Sequence, residues 1–61
     1  MNENIKERII NAIQEYNYNY SFNDNILECN EIPNELFVNQ LIYICSGYIN
    51  FTQNNTNIIF E

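Results

Sequence analysis

Residues 36–51, LFVNQLIYICSGYINF, form the longest apolar run of the chain and hold its only glycine and one of its two cysteines. Burying apolar surface is the main favourable term in folding, so the rest of the chain must pack on this stretch. It admits two conformations. As a helix, Phe37, Leu41, Ile44, Cys45 and Tyr48 recur at spacings of four, three, one and three and share one face. Pro33 then precedes the helix, where a proline suits the first turn, and Gly47 stands where a left-handed C-terminal cap is usual. As strands, Ser46-Gly47 would make a two-residue turn between residues 43–45 and 48–50, in keeping with their β-branched and aromatic content. Between Leu36 and Ile44 both parities are apolar, so the strand alternation is poor and the helix is preferred. Val38 and Ile42 then form a second apolar strip off the main face. That strip must meet more core or another chain, which makes it the candidate oligomer interface.

The other segments can be read from their periods. Residues 4–15, NIKERIINAIQE, carry Ile5, Ile9, Ala12, Ile13 and Tyr16 as an apolar stripe, with Asn4 as N-cap and Glu7 completing a capping box. Residues 16–23 change period: Tyr16, Tyr18, Tyr20 and Phe22 alternate with Asn17, Asn19, Ser21 and Asn23, the pattern of a half-buried strand. The four aromatics are read mainly as core, with Tyr18 and Tyr20 as candidate partner-binding residues because tyrosine is enriched at interface hot spots. Asn23-Asp24-Asn25 is a turn by composition, and residues 26–32, ILECNEI, a second strand with imperfect alternation. A short helix competes for that piece. Residues 48–52 and 57–61 read as two strands around the polar loop 53–56, the last of them an open sheet edge. The predicted architecture is a single α+β domain of order αββαββ, with two helices on one face of an antiparallel sheet. The two halves match in element order only, with too few shared residues to argue a repeat.

A chain of 61 residues buries a modest fraction of its surface, and such scaffolds lean on disulfides, metals or a partner. The N-terminus, MNENIKERII, mixes acids with bases and lacks the apolar core of a secretory signal, and no stretch suits a membrane span. The expected compartment is the reducing cytoplasm, with Cys29 and Cys45 as free thiols. Three Asn-x-Ser/Thr sequons, at Asn19, Asn50 and Asn54, are then chance products of an asparagine-rich chain. Oligomerisation remains as support, and a homodimer is expected.

Charge narrows the function. Eight acids face two bases, a net of −6, and no basic side chain follows Arg8. The chain is rich in Asn, Ile, Tyr and Phe, residues with AT-rich codons, yet it has one lysine, although lysine codons are also A-rich. The scarcity of cations therefore looks selected. Such a surface repels nucleic acid and anionic membranes and attracts basic proteins, beyond keeping a small apolar chain soluble. Asp24, Glu28, Glu31 and Glu35 are spaced by four, three and four. Pro33 breaks any continuous helix through them, so they are read as a local acidic cluster able to meet Lys and Arg of a partner. They lack the spacing and glycine of a calcium loop.

Catalytic chemistry finds little purchase. The chain has no histidine, the commonest general base and metal ligand. Cys29 and Cys45 lie sixteen residues apart, without zinc-type spacing and without a base to activate either as a nucleophile. One glycine cannot make a phosphate-cradling loop. No enzyme activity, cofactor or metal is expected. The leading expectation is a small acidic inhibitor of a basic, nucleic-acid-handling protein, a class that includes phage-encoded anti-CRISPR proteins by analogy of composition. The alternatives are a homo-oligomeric assembly subunit and the antitoxin of a toxin pair.

Overall fold

The computed structural model describes all 61 residues. The order is α1 (Glu3–Glu15), β1 (Tyr20–Asn23), β2 (Ile26–Cys29), α2 (Glu35–Cys45), β3 (Phe51–Asn54) and β4 (Asn57–Phe60). The four strands form one antiparallel sheet of order β1-β2-β4-β3. This is the expected α+β fold in αββαββ order. Leu27, Cys29, Ile58 and Phe60 alternate along β2 and β4 and are buried with Ile5, Ile9, Ala12 and Ile13 of α1 and Phe37, Leu41, Ile44 and Cys45 of α2. Both helical stripes thus cover one face of the sheet. The opposite face carries Ser21, Asn23, Ile26, Glu28, Thr52, Asn54, Asn57 and Ile59, by the period of two.

Residues 36–45 are helical, and residues 45–48 make a turn rather than continue as a strand, which takes Tyr48 off the expected buried face and leaves it 74% exposed. Ser46 is extended (φ −57°, ψ 123°), Gly47 has φ 81°, and the Tyr48 N–H donates to the Cys45 carbonyl at 2.9 Å. That is a type II turn, whose third position requires a positive φ and so a glycine. At the other end Asn34 is the N-cap, its side-chain oxygen accepting from the Phe37 N–H at 2.8 Å.

Two strand ranges shift, the second strand being Ile26–Cys29 in place of 26–32 and the third Phe51–Asn54 in place of 48–52, and three expectations change in kind. The α1 N-cap is Asn2, not Asn4: its side chain accepts from the Asn4 N–H at 2.7 Å, and no Asn4–Glu7 capping box forms. Of the predicted 16–23 strand, only Tyr20–Asn23 is strand. Tyr16 caps α1 and Asn17 adopts φ 59°, while the Asn17 N–H donates to Gln14 (3.2 Å) and the Tyr18 N–H to Ile13 (3.3 Å). This pair of bonds is a Schellman closure, with asparagine taking the left-handed position. The chain reversal rotates Tyr18 into the core. Thirdly, β4 is not an edge. It lies between β2 and β3, and Asn25 locks it in place, accepting from the Phe60 N–H at 2.8 Å through its own carbonyl while its side-chain amide donates to the Phe60 carbonyl at 2.6 Å. The edges are β1 and β3.

The two halves are related by more than element order. Tyr20 to Phe51 and Ile26 to Asn57, the starts of matching strands, are both shifts of 31 residues. Leu27 and Ile58, also 31 apart, stand directly opposite each other where β2 meets β4. A pseudo-two-fold axis therefore passes between them. Both hairpins also turn on an Asx residue at positive φ, Asp24 at 53° and Asn55 at 61°.

Candidate protein-binding surface

The structure disperses the acidic residues expected to act together. Asp24 lies at the β1–β2 hairpin tip. Glu28 is on the uncovered face of the sheet, opposite Ser21 on one side and Asn57 on the other. Glu31 follows β2 at its far end, and Glu35 opens α2. All four are exposed. On the order of 13 Å of extended chain separates Asp24 from Glu28, so the four carboxylates surround β2 rather than share one patch.

The two tyrosines also part company. Tyr18 is 8% exposed, and its hydroxyl accepts from the Asn34 N–H at 2.8 Å. Its ring meets Phe37 edge-on with centroids 5.3 Å apart, and Tyr16 meets Phe37 likewise at 5.6 Å. Tyr18 therefore ties the start of α2 to the end of α1, which removes it from the partner-facing set. Tyr20, on edge strand β1, is 37% exposed.

The most exposed apolar surface lies instead on α2 and its flanks. With Phe37, Leu41, Ile44 and Cys45 turned inward, Leu36 (68% exposed), Ile42 (54%) and Tyr43 (77%) point outward around Asn39. After Glu35 the helix carries no charge. On α1, by contrast, the exposed positions are Glu3, Asn4, Glu7, Arg8, Asn11, Gln14 and Glu15. Sequence reasoning singled out Ile42 but missed Leu36 and Tyr43. Their signal was present: they sit seven residues apart, on the side of the helix away from Phe37, Leu41 and Ile44.

Val38 and Ile42, the expected second strip, contribute one wall of a groove of about 450 Å³. Cys45 and the Ser46-Gly47 turn close its end, and Ile49, Asn50 and Phe51 form the wall leading into β3. The groove thus runs between the flank of α2 and an edge strand. Five of its eight lining residues are apolar, and it contains no ionisable group except the Cys45 thiol.

Both cysteines are free and buried. Burial raises the pKa of each thiol, and the Arg8 charge partly opposes this at Cys45. Neutral, desolvated thiols are weak nucleophiles, and these two serve as small core hydrophobes. No three Cys, Asp or Glu side chains converge as a metal-binding group. No helix is long and apolar enough to cross a membrane. No family model, curated protein or solved structure matches the chain.

Proposed function

We propose that this chain is a non-enzymatic binding domain that docks on a basic protein and inhibits it, the target being one that handles nucleic acid. The observation that carries this reading is the outward face of α2. Leu36, Ile42 and Tyr43 are exposed and uncharged within a molecule of net charge −6. Interface cores are depleted in charge and enriched in tyrosine, while charged rims set partner choice and encounter rate. Here Glu35 opens α2 beside that face, Asp24, Glu28, Glu31 and Glu61 are exposed elsewhere on the molecule, and no basic side chain follows Arg8. A protein whose own ligand is a polyanion offers the complementary surface.

The test is capture of a target from lysate by the tagged chain with elution in a salt gradient, repeated with two variants. One reverses charge at Glu28, Glu31 and Glu35 to Lys; the other is Ile42→Asp with Tyr43→Ser. Release of one basic, nucleic-acid-handling protein by rising salt is expected, with at least about tenfold weaker capture by each variant and an unchanged circular dichroism spectrum. Unchanged affinity in the charge-reversed variant overturns the reading.

The same uncharged face favours a second reading, a homodimer packed through α2 in which like charges need not meet. A dimer mass that persists in moderate salt and is lost in Ile42→Asp supports it, and a monomer at low micromolar concentration rejects it.

A further inference from the structure

We infer that the edge of β3, with the groove beside it, is a strand-addition site that takes an extended, lysine- or arginine-flanked segment of the partner as a fifth strand. This rests on the basic-partner reading above and adds how that partner is held. The first support is the hydrogen-bond register. The Glu61 N–H donates to the Asn50 carbonyl at 2.8 Å, which makes Asn50 and Glu61 a hydrogen-bonded pair. Such pairs alternate along an antiparallel ladder, so Thr52 with Ile59 and Asn54 with Asn57 are the next two. The main-chain groups of Phe51 and Gln53 therefore point away from β4, toward the open edge. The neighbouring ladder agrees: Phe60, opposite Phe51, sends its N–H to Asn25 on the other side. An added strand meets two free N–H groups and two free carbonyls.

The second support is the groove. Phe51 and Gln53 lie on the helix-covered side of the sheet, opposite the buried Phe60 and Ile58. Side chains of an added strand that align with them point the same way. The one opposite Phe51 enters the space lined by Val38, Ile42 and Ile49 and must be apolar. Its neighbours point to the uncovered face, where Glu61 stands across from Asn50. Main-chain bonds with pockets for alternate side chains are the recognised form of strand addition.

The third support is the molecule's own internal comparison. In the helices the matching N-caps, Asn2 and Asn34, and the matching buried positions, Ile5 and Ile9 with Phe37 and Leu41, are 32 residues apart, which brings Val38 onto Lys6 and Ile42 onto Ile10. At the β1 edge the Lys6 ammonium lies over the Phe22 ring, 5.0 Å from its centroid. A lysine guarding an edge strand is a common defence against unwanted pairing, and it repels a basic segment. At the β3 edge the equivalent position is the short, neutral Val38, and β3 itself, FTQN, has neither charge nor proline. One edge is guarded and its counterpart is open. With a net charge of −6, a basic strand is favoured there over a second copy of the chain.

The probe is a capped peptide of alternating lysine and valine, with the glutamate–valine peptide as control. Binding is followed by fluorescence anisotropy and amide hydrogen exchange on the intact chain. The lysine peptide is expected to bind and to slow exchange of the Phe51 and Gln53 amides about tenfold or more. Gln53→Pro removes an outward N–H that the fold does not use, so it should fold as before and lose about tenfold in affinity. N-methylation of alternate peptide amides removes the same bonds from the ligand side and should do likewise without any change to the protein. Absence of binding, binding that survives both changes, or protection confined to α2 or to the carboxylates around β2 overturns strand addition. The last of these leaves the basic-partner reading standing. Protection of Phe51 and Gln53 without peptide, rising with protein concentration alongside a dimer mass, assigns the edge to a second copy and also overturns the proposal.

Discussion

Asn17, Tyr18 and Gly47 show how single residues redirect the chain. The alternation from Tyr16 to Phe22 has the period of a strand, but Asn17 at φ 59° closes α1 before the strand begins and sends Tyr18 inward. The pattern was legible; the left-handed residue that interrupts it was not, because asparagine adopts that conformation in some contexts and extended backbone in others. Gly47 was legible as a chain reversal, since φ 81° excludes most side chains even though the space around it is open. The buried thiols carry a prediction at this scale. Burial raises the pKa of Cys29 and of Cys45, so folding favours their protonated form. Their contribution is whole below the unfolded thiol pKa of about 8.5 and is lost as pH rises from there through the folded values, because the unfolded chain ionises first. Urea midpoints are expected to fall between about pH 8 and pH 9.5 in the native chain and to fall less in a Cys29→Ala, Cys45→Ala variant. Equal slopes would remove the thiols as the cause.

At the scale of elements, α2 carries a buried face that holds the fold and an exposed face that the proposed function assigns to binding. Phe37 is fully buried and packs against both Tyr16 and Tyr18, whereas Tyr43 is largely exposed. Phe37→Ala is expected to cost about 3–5 kcal/mol, enough to unfold most of so small a domain. Tyr43→Ser, at a position that supports no core contact, is expected to stay within about 0.5 kcal/mol. Denaturant titration of both variants checks this, and a large cost for Tyr43→Ser would show that the outer face of α2 is part of the fold rather than a free surface. Both helices were legible because their apolar spacing persists over several turns. The extent of the outer face was not, since a helix apolar on most sides usually signals complete burial. Leu36 and Tyr43 stay uncovered because only the side of α2 that carries Phe37, Leu41, Ile44 and Cys45 is turned into the core.

At the scale of the whole molecule, charge and pairing order dominate. A net charge of −6 on a chain whose radius of gyration is 10.2 Å gives appreciable self-repulsion. Added salt screens it, so the Tm is expected to rise by about 2–3 °C between low and physiological ionic strength, equivalent to a few tenths of a kcal/mol. A falling Tm in the same scan would mean that attractive pairs outweigh the repulsion. On the proposed docking to a basic partner, the same excess of carboxylates predicts salt-sensitive capture, so stability and binding should respond to salt in opposite directions.

The sequence by itself determined the elements and their order, because hydrophobic period, caps and turn residues act over a few neighbouring positions. It also determined the acidic balance and the poverty of catalytic groups, which are matters of composition. Only the tertiary structure decided that β4 lies inside the sheet, that the carboxylates spread around β2, that Tyr18 belongs to the core, and that Val38 and Ile42 wall a groove beside an edge strand. Tyr18 is turned inward at the Asn17 reversal, whereas the interior place of β4 depends on pairing β2 with β4 across some thirty residues of chain. That choice is made by the fit of the two helical stripes over one sheet, and no local pattern encodes it.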